Sequence, residues 1–311
     1  MNAYYLILRK VLSKILFLFD DNKKVKSLIL WPVTKRLLPN RKFIVDIGDG
    51  VKMMVYTGMQ DMVNKVLLFY SGYRKYAWEP ITSRIFEILI KSKKTPIVVV
   101  AGANIGYFAI IAAGFNKDAM IYGFEPVEDI YDKFNNNIKI NNFNNIISIN
   151  VGLSNSTGMS KINLSDGQSS LIDYERGDNL NTASIKTYKL DDYFNNHDKI
   201  PDLILLDVEG YEGYVLEGAV NILENKPDII FEYNKRILSN IDNKINDALD
   251  RLKVNGYEIF IINDQYSQPH LRGRIDIELL SFNNDSVESF SSPHFNVLAT
   301  KNIDIIKKYI K

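Results

Sequence analysis

Val98-Val99-Val100-Ala101-Gly102-Ala103-Asn104-Ile105-Gly106-Tyr107-Phe108 decides how this chain is read. A β-branched run stops at a turn bounded by two glycines, and an apolar, helix-compatible stretch follows. Gly102 and Gly106 carry no Cβ, so the backbone can bend sharply there and let a ligand come close. The helix after the turn offers unpaired N–H groups and the positive end of its dipole.

Outward from this point the pattern repeats. Ile97–Val100 reads as a buried strand and Tyr107–Phe115 as a helix, followed by strand Met120–Phe124, helix Ile130–Asn141 and strand Ile146–Val151. After a Ser/Gly-rich excursion come strand Leu203–Leu206, helix Tyr214–Leu223, strand Ile229–Phe231, helix Ile241–Val254, strand Glu258–Ile262 and a closing strand Val297–Thr300. Short, uniformly apolar strands alternating with helices predict an α/β, doubly wound, mostly parallel sheet with both faces covered. Such sheets bind ligands at the carboxyl ends of their strands. Upstream, residues 1–40 read as a helical segment. Residues 41–95 read as a lead-in, with a hairpin over Phe43–Tyr56 turning at Gly48-Asp49-Gly50 and a helix over Ile81–Lys91. Residues 96–311 are the main domain, with a polar insertion over 263–293.

Of the 311 residues, 46% are hydrophobic and 24% charged, enough for one sizeable core. Lys plus Arg number 38 against 37 Asp plus Glu, so no global field draws the chain to nucleic acid, and no such partner is expected. The absence of Cys excludes thiol catalysis, disulfides and Cys-based zinc sites, and fits a cytoplasmic setting. Residues 4–19 hold two short apolar runs separated by Arg9, Lys10, Ser13 and Lys14, which share one helical face. The runs are too short to span a bilayer, and no small-residue cleavage site follows them. Two readings stay open: a basic amphipathic helix on the inner face of a membrane, or a helix packing its apolar side on the protein.

The glycine turn has an acidic partner. Glu125, in Tyr122-Gly123-Phe124-Glu125-Pro126, falls at the tip of the second strand, where a carboxylate can accept both hydroxyls of a ribose. A dinucleotide would favour a further glycine where Asn104 stands. A polar side chain there suits a zwitterionic amino-acid tail better than a pyrophosphate, which favours S-adenosylmethionine over NAD.

Taken together, Gly102-Ala103-Asn104-Ile105-Gly106-Tyr107, Phe124-Glu125-Pro126, Asp207-Val208-Glu209-Gly210-Tyr211-Glu212 and Pro227-Asp228-Ile229-Ile230-Phe231-Glu232 resemble the FkbM family of S-adenosylmethionine-dependent O-methyltransferases. Trp78-Glu79-Pro80 and Gly152-Leu153-Ser154 also fit that family's pattern, and the likeness runs from about Val51 to Thr300. The resemblance implies a class I, Rossmann-like methyltransferase fold with cofactor contacts at Glu79, Gly102, Ala103, Asn104, Gly106, Glu125, Pro126, Leu153 and Asp207. It also implies a sugar or glycoconjugate as acceptor. The family usually carries an acid two residues before the first glycine. Val100 stands there, and Glu79 or Asp207 is expected to compensate.

An alcohol is a weak nucleophile until its proton has somewhere to go. Asp207 and Glu232 fall at the tips of adjacent strands, with Asn234 two residues further on. Either acid can serve as base. Alternatively Asp207, Glu232 and Asn234 supply an oxygen set for Mg²⁺, similar to metal-dependent catechol-type O-methyltransferases. Glu209 and Glu212 follow Asp207 within one turn; favouring the next helix N-terminus is the preferred reading for Glu212, while for Glu209 that role and a part in the chemistry both stay open. His270, within the insertion, is a further candidate base on a substrate lid, while Arg272 and Arg274 read as a solvated loop face. Tyr70, Tyr73, Tyr76 and Trp78 are either an acceptor surface or core. Two other functions stay open: an NAD(P)-dependent oxidoreductase on the same sheet, and a non-catalytic module that binds S-adenosylmethionine.

Overall fold

The computed structural model describes residues 7–12, 14, 31–38, 40–57, 59, 62–70, 76–164, 182–195, 199–235, 244–264 and 276–310. Their contacts form two compact units, one reaching Pro80 and one containing Ile81–Asp264 and Asp276–Lys311.

In the first unit, helix α1 (Trp31–Leu37) precedes a hairpin of β1 (Lys42–Gly48) and β2 (Val51–Tyr56). Phe43, Val45, Met53 and Val55 are buried on one side of it, the period-2 pattern of a half-buried ribbon. Asp49 and Gly50 both take positive φ, as the reversal of a tight hairpin requires. Helix α2 (Met62–Tyr70) packs on the ribbon, and its buried Asn64 accepts the Tyr56 N–H at 2.8 Å. Residues 7–12 are helical, with Arg9 Nε donating to the Leu68 carbonyl at 2.7 Å. Leu12 is buried, while Ile7 and Val11, one turn apart, are 62% and 46% exposed. Tyr70 and Tyr76 are buried, which favours the core reading over an acceptor surface; Tyr73 lies outside the described residues.

The second unit opens with α3 (Pro80–Lys91), which begins on a proline, whose missing N–H costs nothing in a first turn. Asp264 caps that end from across the chain, accepting the N–H groups of Ile81 at 2.7 Å and Thr82 at 3.1 Å, and also the Thr82 hydroxyl. Next come β3 (Ile97–Ala101), α4 (Tyr107–Phe115), β4 (Met120–Phe124), α5 (Glu128–Asn141) and β5 (Ile146–Ile149). Helix α4 is apolar all round and accordingly sits inside, with residues 107–113 all buried.

After β6 (Gly152–Leu153), β7 (Gly158–Asn163), β8 (Thr182–Tyr188) and α6 (Leu190–Asn195), the chain returns to the main sheet. It continues through β9 (Leu203–Leu206), α7 (Glu212–Glu217), α8 (Val220–Glu224), β10 (Asp228–Asn234), α9 (Lys244–Val254) and β11 (Glu258–Ile262). The last elements are β12 (Leu279–Ser281), α10 (Asn284–Ser289), β13 (His294–Thr300) and α11 (Ile303–Lys307). The eight-stranded sheet runs β12-β11-β13-β10-β9-β3-β4-β5. Strands β10, β9, β3, β4 and β5 pair in parallel, and β13 is antiparallel to both β10 and β11. Because β3 pairs with β4 on one side and β9 on the other, the order of the strands reverses there, and the crevice opens at that point.

The predicted alternation is present, with four corrections. The described residues of the Ser/Gly-rich excursion include strands: β6, β8 and β7 form a separate three-stranded sheet. Thr182–Tyr188 escaped a hydrophobic reading because only Ile185 and Thr187 turn fully inward. The third strand ends at Ile149, and Gly152 and Leu153 already belong to the small sheet. The single helix expected over Tyr214–Leu223 is two, broken at Gly218, where a Cβ would sit 2.2 Å from the Ser154 carbonyl oxygen. Within the insertion, β12 extends the main sheet and α10 follows, started by an Asn283–Ser286 capping box.

Candidate functional site

Two bends build the site. The first joins β3 to α4. Gly102 (φ 70°), Asn104 (φ 51°) and Gly106 (φ 94°) are all left-handed. The bend is pinned by the Ala103 N–H on the Phe124 carbonyl at 2.9 Å and the Gly106 N–H on the Ala103 carbonyl at 2.8 Å. Glycine is required twice over. A Cβ on Gly102 would fall 1.8 Å from the Asp207 carbonyl oxygen, and one on Gly106 would fall 2.2 Å from the Phe134 ring. Asn104 Oδ1 accepts the Ile105 N–H at 2.7 Å, a local bond that favours the left-handed pose and leaves the amide nitrogen for other partners.

Glu125, 5% exposed at the end of β4, closes this half. Its two oxygens each take one backbone donor: Asn104 N–H to Oε2 at 2.8 Å and Val127 N–H to Oε1 at 3.0 Å. Each oxygen keeps one lone pair, the number a vicinal diol needs. Burial pushes this carboxyl up to about 7 against the two N–H bonds, and Asp207 adds to the push.

The second bend follows β9. The Asp207 N–H bonds the Ala101 carbonyl at 3.0 Å, so the first residue past the strand stays in line with β3. The chain then turns through Glu209 (φ 55°) and Gly210 (φ 93°). A left-handed glutamate costs roughly 1–2 kcal/mol. What holds it is Glu212: its Oε1 accepts the N–H groups of Val208 at 3.0 Å and Gly210 at 3.2 Å, tying both neighbours of Glu209. Burial raises all three acids, Asp207 to about 6, Glu212 to about 7 and Glu209 to about 8. For Glu209 the Asp207 and Glu212 charges contribute as well.

Between the bends lies a cleft with about 670 Å³ of unfilled space, part of it continuous with solvent. Gly102, Asn104, Glu125, Pro126, Leu153 and Asp207, all expected from the sequence, line it, together with Phe124, Val127, Ile130, Gly152, Ile162, Val208 and Glu209. Ala103 and Gly106 shape the turn without lining the cleft. Glu79 belongs to the first unit, where it too is left-handed (φ 39°). Glu232 and Asn234 lie on β10, opposite Asn296 and His294, and outside the cleft's lining. Among the described residues no group of three or more His, Cys, Asp or Glu is placed to hold a metal ion. His270, Arg272 and Arg274 fall outside the described residues.

Some contributors were not legible. Glu212, expected as a helix-terminus acid, clamps the bend instead, and Glu209, for which the sequence leaves two roles open, lines the cleft. Phe134 fills the space under Gly106 and Gly123, and buried Asn137 donates to the Ile105 carbonyl at 2.8 Å. Their spacing of three on α5 places both on one helical face, the one available signal.

Among the described residues, three carboxylates and no Lys, Arg or His line this cleft. Such a lining favours a cation and opposes a pyrophosphate, which weighs against a dinucleotide. S-adenosylmethionine fits it on three counts: a ribose diol for Glu125, sulfonium and ammonium charges for the acids, and a flat apolar ring for Phe124, Ile130, Leu153 and Ile162.

No curated protein matches the sequence. Among solved structures, M. jannaschii TYW2 in complex with AdoMet is 16% identical (TM-score 0.39; 84% of each chain covered). Precorrin-6y C5,15-methyltransferase from Geobacter metallireducens is 10% identical (0.39; 70% of this chain and 88% of that one). Ribosomal protein L11 methylase from Lactobacillus delbrueckii subsp. bulgaricus is 12% identical (0.38; 71% and 78%). A model of the methyltransferase FkbM domain matches residues 101–259, from the last residue of β3 into β11. That match spans just over half of the chain and takes in both bends, so this protein belongs to the FkbM family of S-adenosylmethionine-dependent methyltransferases.

Proposed function

We propose that the protein transfers a methyl group to a hydroxyl of a sugar or glycoconjugate. The observation that carries the reading is the charge of the cleft: carboxylates at the ends of β4 and β9, with no basic residue among the described ones, at the point where the strand order reverses. When bound, S-adenosylmethionine supplies an electrophilic methyl, and the residues of this chain do the remainder. Glu125 holds the ribose, and the apolar wall keeps water from the reacting centre. Asp207, raised only to about 6, is ionised at neutral pH and accepts the proton of the acceptor hydroxyl. The carbohydrate class of the acceptor follows from the family resemblance.

Calorimetry with S-adenosylmethionine against NAD, followed by incubation of labelled cofactor with a panel of glycans, tests the proposal. At saturating cofactor, Asp207→Ala is expected to lose at least 100-fold in rate, within the range of general-base catalysis. Binding of NAD alone would end the reading. Cofactor binding without any labelled glycan would leave a non-catalytic module.

A lipid-linked glycan is favoured by one further observation, the exposed Ile7 and Val11 beside basic Lys10 and Lys14. No helix among the described residues is long and apolar enough to cross a membrane, so contact would be peripheral. Deleting residues 1–25 should abolish liposome binding; binding that survives removes this version of the acceptor.

A further inference from the structure

We infer that Tyr211, backed by Tyr214, is the platform on which a pyranose ring of the acceptor stacks. The inference rests on the sugar reading of the acceptor given above. The two rings stand at the start of α7, their centroids 4.3 Å apart and their planes 13° from parallel. Tyr211 takes the N-cap position directly after the second bend, two residues past Glu209 of the cleft wall. The core asks for neither ring. Glu212, Gly213, Val215 and Leu216 form the buried side of α7, while both tyrosines are only half-buried. Their spacing of three puts them on one side of the helix, and Gly218 follows on that side one turn later. A Cβ on Gly218 would sit 2.2 Å from the Ser154 carbonyl oxygen, and Glu217 Oε2 accepts the Asn155 side-chain N–H at 2.9 Å. Ser154 follows Leu153, which lines the cleft. The side of α7 that carries the tyrosines therefore faces a segment of the cleft wall. The pair stands at the rim, where that segment and the second bend approach each other.

The chemistry of a sugar matches this edge. A pyranose has an apolar face of C–H bonds and a girdle of hydroxyls. An aromatic face is negative at its centre and attracts such C–H groups, and each tyrosine adds a hydroxyl that can bond at the sugar's edge. Stacking of the two tyrosines fixes each ring before any ligand arrives, so little side-chain freedom remains to be lost on binding. Asp207, the proposed proton acceptor, lies four residues before Tyr211, at the end of β9. A sugar laid on Tyr211 can thus present a hydroxyl to it. Tyr211 is a positioning residue in this scheme, acting through ring carbons of the acceptor that do not react.

The test is saturation-transfer NMR on the full chain with S-adenosylhomocysteine present. The probes are methyl glucoside, methyl mannoside, methyl galactoside and the open-chain alditol sorbitol. Irradiating the aromatic protons should pass signal to the C–H protons of at least one pyranoside and not to sorbitol. Tyr211→Leu should lose roughly fivefold or more of that signal, the scale of one aromatic contact. Tyr211→Phe keeps the ring and should stay within about twofold of wild type by the same measure. Calorimetric affinity for S-adenosylmethionine should hardly change in either variant, which also reports that both are folded. No pyranoside signal in the wild-type chain, or an undiminished one in Tyr211→Leu, overturns the inference. So does an equal loss in Tyr211→Phe, or a parallel loss of cofactor affinity in Tyr211→Leu. The two readings fail separately. Labelled glycan formed by a chain without the ring signal would end the platform and leave sugar methylation standing, and a ring signal without labelled glycan would do the reverse.

Discussion

The two bends that meet at the cleft solve one problem in opposite ways. Between β3 and α4 the left-handed positions fall mostly to glycine, and the carboxylate that serves this half, Glu125, is tied by two backbone amides. After β9 the left-handed position falls to a glutamate, held there by a second glutamate. The first bend is relaxed and rigid, suited to gripping parts of a ligand that do not react. The second stores strain and concentrates like charge, as expected where charge moves during turnover.

The sharpest way to break this contrast is to add one carbon to the relaxed side. Gly102→Ala places a methyl 1.8 Å from the Asp207 carbonyl oxygen, which must move and carry the second bend with it. A loss of about 3–5 kcal/mol is expected in urea denaturation, combining overpacking with a left-handed alanine. Cofactor binding should disappear. A variant within 1 kcal/mol of wild type would mean that the Asp207 carbonyl and the second bend yield to a side chain at position 102 at little cost.

Next in size comes Glu125. Replacement by Ala leaves the Asn104 and Val127 N–H groups unsatisfied and removes the proposed diol acceptor, so affinity for S-adenosylmethionine should fall roughly 10- to 100-fold. Glu125→Gln presents its NH₂ to one of those donors and should lie between wild type and Ala. If Gln binds as wild type does, the carboxylate charge has no part in this half of the cleft.

How much of this was legible in advance divides along the same line. The relaxed bend announces itself, because glycines after a β-branched run and an acid at the next strand tip are local patterns. Strands buried on both faces, such as Ile97–Ala101, are equally plain. The strained bend is not, because a glutamate with positive φ has no sequence signature, and Glu209 and Glu212 look alike in Asp207-Val208-Glu209-Gly210-Tyr211-Glu212. Only the fold sends one into the cleft and the other onto backbone amides. The small sheet was missed for a similar reason, since Thr182–Tyr188 draws its order from pairing with β6 and β7 rather than from apolar residues of its own.

The strained side predicts a pH dependence. Asp207, Glu209 and Glu212, with Glu125, all have folded-state positions raised above ordinary carboxylates, to between about 6 and about 8. Between their unfolded values and these, the folded chain binds more protons than the unfolded one, so stability falls as pH rises. The ligand-free protein should therefore lose several degrees of melting temperature between pH 5.5 and 8.5, by the usual scale of such shifts. S-adenosylmethionine should recover more of that loss than S-adenosylhomocysteine. A melting temperature that rises over this interval would mean the acids are paired with cations in solution, contrary to the cleft's charge.

The smallest effect is expected where the chain departs from its family. Val100, 1% exposed near the end of β3, stands where an acid is usual, and Val100→Asp would supply it. A fifth carboxylate would join a site whose four existing ones already hold their protons well above the ordinary range. The added charge would then be met by proton uptake at Asp207, Glu125 or Glu209, leaving the net charge at neutral pH nearly as before. Affinity for S-adenosylmethionine at pH 7 should change by less than threefold, and the pH at which binding strengthens should move upward. A tightening of tenfold or more would show instead that the cleft is one acid short, and that the second bend does not compensate for what the first one lacks.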